Sequence, residues 1–235
     1  MGVVELHFPS DALGRVVTYS AIVPDRGEGP FSVLYQLHGA SDDHRAWIER
    51  GNLVRHVDGM PLIVVLPDGA LSYWANVHPL MRYEDFLVED LAQHVRRTFR
   101  VRDEPAAIGG LSMGGYGALR LALRHPGRFA SVAAHSSRIP LREELATLPW
   151  SRGVDPDELD LLALADRIDP ATVPKLHLDC GLDDHRLEDS RRLVAILARR
   201  GVAHHYREHP GAHDWPYWDA HVGEALAHHA RALRL

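Results

Sequence analysis

Between Ala106 and Leu123 an apolar run breaks on two glycines and a serine and passes at once into a helical pattern: AAIGGLSMGGYGALRLAL. This stretch constrains the fold most. A strand that feeds straight into a helix reaches its next strand only after the helix, and that strand then lies parallel to the first. Glycine allows so tight a turn where a β-carbon would clash.

The rest of the chain repeats the rhythm. Val3–Phe8 and Arg15–Val23 have strand composition. FSVLYQLHG from Phe31, PLIVVLPDG from Pro61, ASVAAH, KLHLDCG and HHYREH follow. Most of these are continuous apolar runs, as suits strands buried on both faces. Helical patterns alternate with them. In YEDFLVEDLAQHVRRTF, Phe86, Leu87, Leu91 and Val95 share a face, with acids early and arginines late. GYGALRLALRHP closes on Pro126, LEDSRRLVAILARRG stops at Gly201, and WPYWDAHVGEALAHHARAL is the last helical pattern. The alternation predicts an α/β fold: a mostly parallel twisted sheet with helices on both faces. At 235 residues it predicts a single domain, 1–235. Residues 136–174, rich in proline and short acidic helical stretches, interrupt the pattern and read as a lid-like insertion at the C-terminal edge of the sheet.

Charge narrows the function. The formal net charge is −6, from 32 acidic and 26 basic residues. That balance argues against nucleic acid or an anionic membrane as partner and leaves a small molecule. No apolar run approaches the ~18 residues of a membrane span. The N-terminus lacks the basic and apolar regions of a signal peptide, so a cytoplasmic protein is the expectation. One cysteine, Cys180, allows no internal disulfide. Nothing in the sequence indicates an oligomeric state.

Gly110-Leu111-Ser112-Met113-Gly114 fits G-x-S-x-G in the strand–turn–helix setting that the motif needs. A serine hydroxyl is a weak nucleophile at neutral pH and needs a base, which in turn needs an orienting acid. The order serine, acid, histidine points downstream. Of 17 histidines, His213 lies in the loop between the last strand and the last helix, where the base belongs. Asp179, Asp183 and Asp184 are the candidate acids near the end of the preceding strand. The amides of Met113 and Ala40, the latter in the loop after FSVLYQLHG, are candidates for the oxyanion hole. His38 reads as a structural residue of that loop. Among Trp47, Trp74, Trp215 and Trp218, the residues expected to line a substrate pocket are Trp74 and Trp215.

The ordered set LYQLHGASDDHRAW, LPDG, YWANV, RYEDFLVEDL, GLSMGGYGAL, LDCGLDD and GAHDWPYW resembles the putative-esterase family of α/β-hydrolases. That family includes tributyrin-type esterases, feruloyl esterases and S-formylglutathione hydrolases. The resemblance runs from about Phe31 to the C-terminus. It implies a serine esterase with Ser112 as nucleophile, His213 as base, and Ala40 and Met113 as the oxyanion hole. The family's CG-x-x-D pattern, matched by Cys180-Gly181-Leu182-Asp183-Asp184, favours Asp184 as the acid. HGASDD lacks the cysteine usual in the formylglutathione branch, which favours oxygen esters over glutathione thioesters. HSSRIP lacks the family's usual serine-glycine pair.

Two readings compete with hydrolysis. An acyltransferase would use the same acyl-enzyme. A non-catalytic ligand sensor would have no need of an intact triad. The mechanism requires no cofactor, and no metal is expected. His205, His209 and His213 are spaced four apart, but on a strand and a Pro-Gly loop, where helical chelate geometry is lost.

Overall fold

The computed structural model describes residues 1–235. Eight strands form one sheet: β1 (Gly2–Ser10), β2 (Arg15–Val23), β3 (Ser32–Leu37), β4 (Leu62–Pro67), β5 (Ala106–Leu111), β6 (Phe129–His135), β7 (Lys175–Gly181) and β8 (His204–His209). Their spatial order is β1-β2-β4-β3-β5-β6-β7-β8. Strands β3 to β8 run parallel, whereas β1 pairs antiparallel with β2 and β2 with β4. A small ribbon, Asn76–His78 with Met81–Arg82, stands apart.

Side-chain alternation along the strands builds a core on each face. Val33, Tyr35, Leu37, Ile63, Val65 and Ile108 face one side. Leu34, Leu62, Val64, Leu66, Ala107 and Leu111 face the other. Against the first side pack α1 (Tyr83–Thr98, π-helical over Phe86–Leu91), α2 (Met113–Arg124), α3 (Leu161–Arg167) and α4 (Leu187–Arg199). Against the second packs α5 (Trp215–Leu233), with two short turns at Ala46–Glu49 and Leu53–His56. No helix is long and apolar enough to cross a membrane.

The expected lid segment is tied to the body. The Tyr116 hydroxyl donates to the Leu159 carbonyl (2.5 Å), and the Arg120 guanidinium donates to the Glu158 carbonyl (2.9 and 2.7 Å). DPDELDLLALADRI, from Asp155 to Ile168, reads as one of the short acidic helical stretches of 136–174 but forms two helices, Pro156–Leu159 and α3, broken at Asp160, which caps α3 through the Ala163 amide.

Arg120 also meets Glu84, with both side chains buried. Arg124 and His125 complete the cluster at 3.1 and 2.8 Å. Burial pushes the Glu84 carboxyl up, but His125 and the two arginines outweigh it and bring its pKa down to about 2. A carboxylate whose pKa falls on folding adds stability above its unfolded value, and loses it as pH falls through the folded one. Glu84→Gln should therefore cost about 3 kcal/mol at pH 7, as expected when one partner of a buried pair is removed. The difference from wild type should shrink by more than half between pH 7 and pH 3. Urea unfolding at both pH values measures it; an equal difference at both would reject the charge-based account.

Candidate active site

Parallel strands end at one edge, so the loops that follow them meet there. Leu37, Leu111, His135, Gly181 and His209 end five neighbouring strands. Residues 38–40, 112, 136, 182–184 and 210–213 follow directly.

Ser112 caps the N-terminus of α2 with φ 52° and ψ −112°, a strained conformation for a residue with a β-carbon. Its backbone is held on both sides: the Ser112 amide donates to the His135 carbonyl (2.9 Å), and the Arg138 amide donates to the Ser112 carbonyl (3.1 Å). The two flanking glycines are required by close approach. A β-carbon on Gly110 would sit 2.6 Å from the Gly114 carbonyl carbon, and one on Gly114 would overlap the Leu37 and His38 carbonyl oxygens. The second contact also presses the 38–40 loop against the Ser112 turn.

The Ser112 hydroxyl lies 3.0 Å from His213 Nε2. His213 Nδ1 lies 3.0 and 2.9 Å from the two Asp184 oxygens. The Asp184 side chain has no exposed surface, whereas His213 keeps 18% of its own. Burial pushes the Asp184 carboxyl up, yet the His213 ring, the neighbouring Ser136 hydroxyl and the Arg186 amide hold it below the ordinary value. It is thus an ionised acceptor, which fixes the proton of neutral His213 on Nδ1 and leaves Nε2 to accept from Ser112.

The other two candidate acids are elsewhere. Asp183 is exposed, and its amide donates to the Gly211 carbonyl (2.9 Å). Asp179 is buried among other partners: it accepts from the Tyr217 hydroxyl at 3.0 Å and lies 2.7 Å from His135 Nδ1.

His38 is a loop anchor. Its Nδ1 donates to the Gly39 carbonyl (2.7 Å) and its Nε2 accepts from the Gly69 amide (2.9 Å). The loop's turn bond runs from the Asp42 amide to the Gly39 carbonyl, which leaves the Ala40 N–H unused. Met113 opens α2, so its N–H has no acceptor within the helix. Both amides are therefore free of protein acceptors.

The tryptophans require a correction. Trp74, expected to line a pocket, has no exposed surface. Its ring fills space that Gly69 and Gly117 leave open, so it belongs to the core. Trp215 is also nearly buried, packed edge-on to Trp47 and Trp218 with the Arg50 guanidinium 5.2 Å over its ring. Trp218 is the tryptophan that touches the site, edge-on to the His213 ring at 5.0 Å. The exposed His185 ring flanks His213 at 4.7 Å. Spacing gave no signal for either contact, because the first depends on how α5 docks. Cys180 is no rival nucleophile: it is buried, and burial with the nearby Asp184 carboxylate pushes its thiol up to about 12.

This sheet order, with a serine on the strand–helix turn and a histidine–carboxylate pair beside it, defines an α/β-hydrolase of the serine hydrolase class. Residues 10–229 match the family described as "Putative esterase", and the chain belongs to that family. It is a carboxylic ester hydrolase. An acetyl esterase of Caldicellulosiruptor saccharolyticus is 28% identical, over 96% of this chain and 97% of that protein. Two solved Staphylococcus aureus structures are each 25% identical over 96% of this chain and 97% of theirs. One is the fluorophosphonate-binding serine hydrolase F, with a TM-score of 0.85. The other is an S-formylglutathione hydrolase, with a TM-score of 0.84.

Proposed function

We propose that the chain hydrolyses small carboxylic esters in two steps through an acyl-enzyme on Ser112. The observation that carries this reading is the unbroken line from the Ser112 hydroxyl through His213 to Asp184. As Ser112 Oγ attacks the ester carbonyl carbon, His213 Nε2 takes its proton. The carbonyl oxygen gains a negative charge facing the amides of Ala40 and Met113, which need not reorganise to meet it. Collapse breaks the bond to the alcohol oxygen, which leaves with the proton from Nε2. Water then gives a proton to Nε2 and attacks the acyl carbon. A second collapse returns that proton to Ser112 Oγ and releases the carboxylic acid. Asp184 orients the imidazole and stabilises the imidazolium formed in each step. A fluorophosphonate should add once, in the peptide that contains Ser112. Labelling of any other residue rejects the assignment.

We read residues 136–174, within a single domain of 1–235, as a fixed wall of the site. Tethers from Tyr116 and Arg120 support this. The segment carries Arg142, Glu143, Glu144, Arg152, Asp155, Asp157 and Glu158, charges that a long apolar chain would have to desolvate. Together with the similarity to an acetyl esterase, this supports a preference for short acyl groups. We expect kcat/KM to peak at acetyl or butyryl esters and to fall about tenfold or more at dodecanoyl, a change of about 1.4 kcal/mol in transition-state binding. A series of p-nitrophenyl esters checks this, and a maximum at dodecanoyl would refute it.

A further inference from the structure

We propose that His209, His221 and Glu224 form a binding site for a divalent transition metal of the zinc class, separate from the reacting groups. His209 ends β8, while His221 and Glu224 lie one turn apart on α5. Sequence spacing pairs His209 with His205 or His213; the fold pairs it with α5 instead. The ligand atoms of the three residues lie within 4.8 Å of one another. His209 Nε2 is 3.8 Å from one Glu224 oxygen, and His221 Nδ1 is 3.9 Å from the other. Tetrahedral zinc with bonds of about 2.0–2.1 Å needs donors about 3.3–3.4 Å apart. Glu224, half exposed, can swing inward to shorten its two distances.

His209 Nε2 is buried with no hydrogen-bond partner, a cost that a metal bond would remove. The His209 and His221 rings stack at 4.1 Å, tilted by 15°, so one ring has to turn to bring both in-plane lone pairs onto one ion. Two imidazoles and one carboxylate suit zinc, cobalt, nickel or copper rather than calcium or magnesium.

His177 and His205 also stack, and His177 Nε2 is likewise buried without a hydrogen-bond partner, but no third ligand atom gathers with them within 4.8 Å. His177 and His205 spend their Nδ1 atoms on each other (3.0 Å), and His228 Nε2 donates to the Lys175 carbonyl. The cluster of Asp184, His185 and His213 has a ligand-like spacing. There, however, His213 uses both nitrogens, on Asp184 and on Ser112. A metal at that cluster would block hydrolysis. A metal at His209 would instead clamp β8 to α5 across the 210–214 loop that presents His213.

The test uses the full chain, freed of metal by chelation, titrated calorimetrically with zinc chloride at pH 7.5. One equivalent should bind. His209→Gln and His221→Gln should each weaken binding by at least about tenfold, and His205→Gln should leave it unchanged. Saturating zinc should raise the melting midpoint of the wild type by about 5 °C and leave that of the His209→Gln/His221→Gln variant unmoved. Hydrolysis of a short ester by the metal-free protein should proceed undiminished. Should the variants fail to fold, histidine-ring NMR of the wild type replaces them: zinc should shift the His209 and His221 resonances first. Zinc binding unchanged in the double variant would overturn the proposal. So would ring shifts confined to His185 and His213, accompanied by loss of hydrolysis.

Discussion

Ser112→Ala is expected to lower kcat for a short ester by about 10⁶-fold, the scale seen when a serine hydrolase loses its nucleophile, and to abolish fluorophosphonate labelling. The fold should survive. Alanine carries the same β-carbon into the φ 52° turn, so the backbone strain is unchanged, and the amide and carbonyl bonds to His135 and Arg138 do not involve the hydroxyl. The amides proposed to hold the oxyanion remain, so a residual rate of about 10³–10⁴ over the uncatalysed reaction should persist. Single-turnover kinetics with p-nitrophenyl acetate, with circular dichroism as the folding check, measures both. Full turnover by the variant would show that another group is the nucleophile.

Asp184→Asn is expected to cost about 10⁴-fold in kcat, while Asp183→Asn costs at most about tenfold. The two carboxylates are neighbours in sequence, yet only one is buried against His213. Asparagine at 184 presents an amide that can donate to Nδ1, which favours the tautomer with its proton on Nε2. That tautomer cannot accept from the Ser112 hydroxyl. Asp183 contributes its backbone amide to the Gly211 carbonyl, a bond that the substitution leaves in place. Because hydrogen bonds hold the Asp184 carboxyl below its ordinary pKa, it should stay ionised well into the acid range, and the acid limb of the wild-type profile should not belong to it. Steady-state kinetics of both variants decides the matter. A severe loss in Asp183→Asn with a mild one in Asp184→Asn would shift the acid by one residue.

The local features were legible in the sequence because their causes are local. Apolar runs that must be buried on both faces show as strands without reference to anything distant. The turn around Ser112 announces itself because only glycine tolerates the backbone contacts at positions 110 and 114. The last helix, Trp215 to Leu233, has the bounds its pattern suggested, with Asp214 capping it through the Tyr217 amide. The break at Asp160 was not legible, since an apolar period runs through it. Only the tertiary structure decided what depends on which surfaces meet. It set Asp184, which the CG-x-x-D pattern had favoured, against His213 and turned Asp183 to solvent, because one-residue steps along a loop aim side chains in different directions. It sank Trp74 into the core, because the space under the His38 loop is made by two glycines far apart in sequence. It drew His209 to His221 and Glu224 through the docking of α5 beside β8, a contact that sequence spacing cannot express.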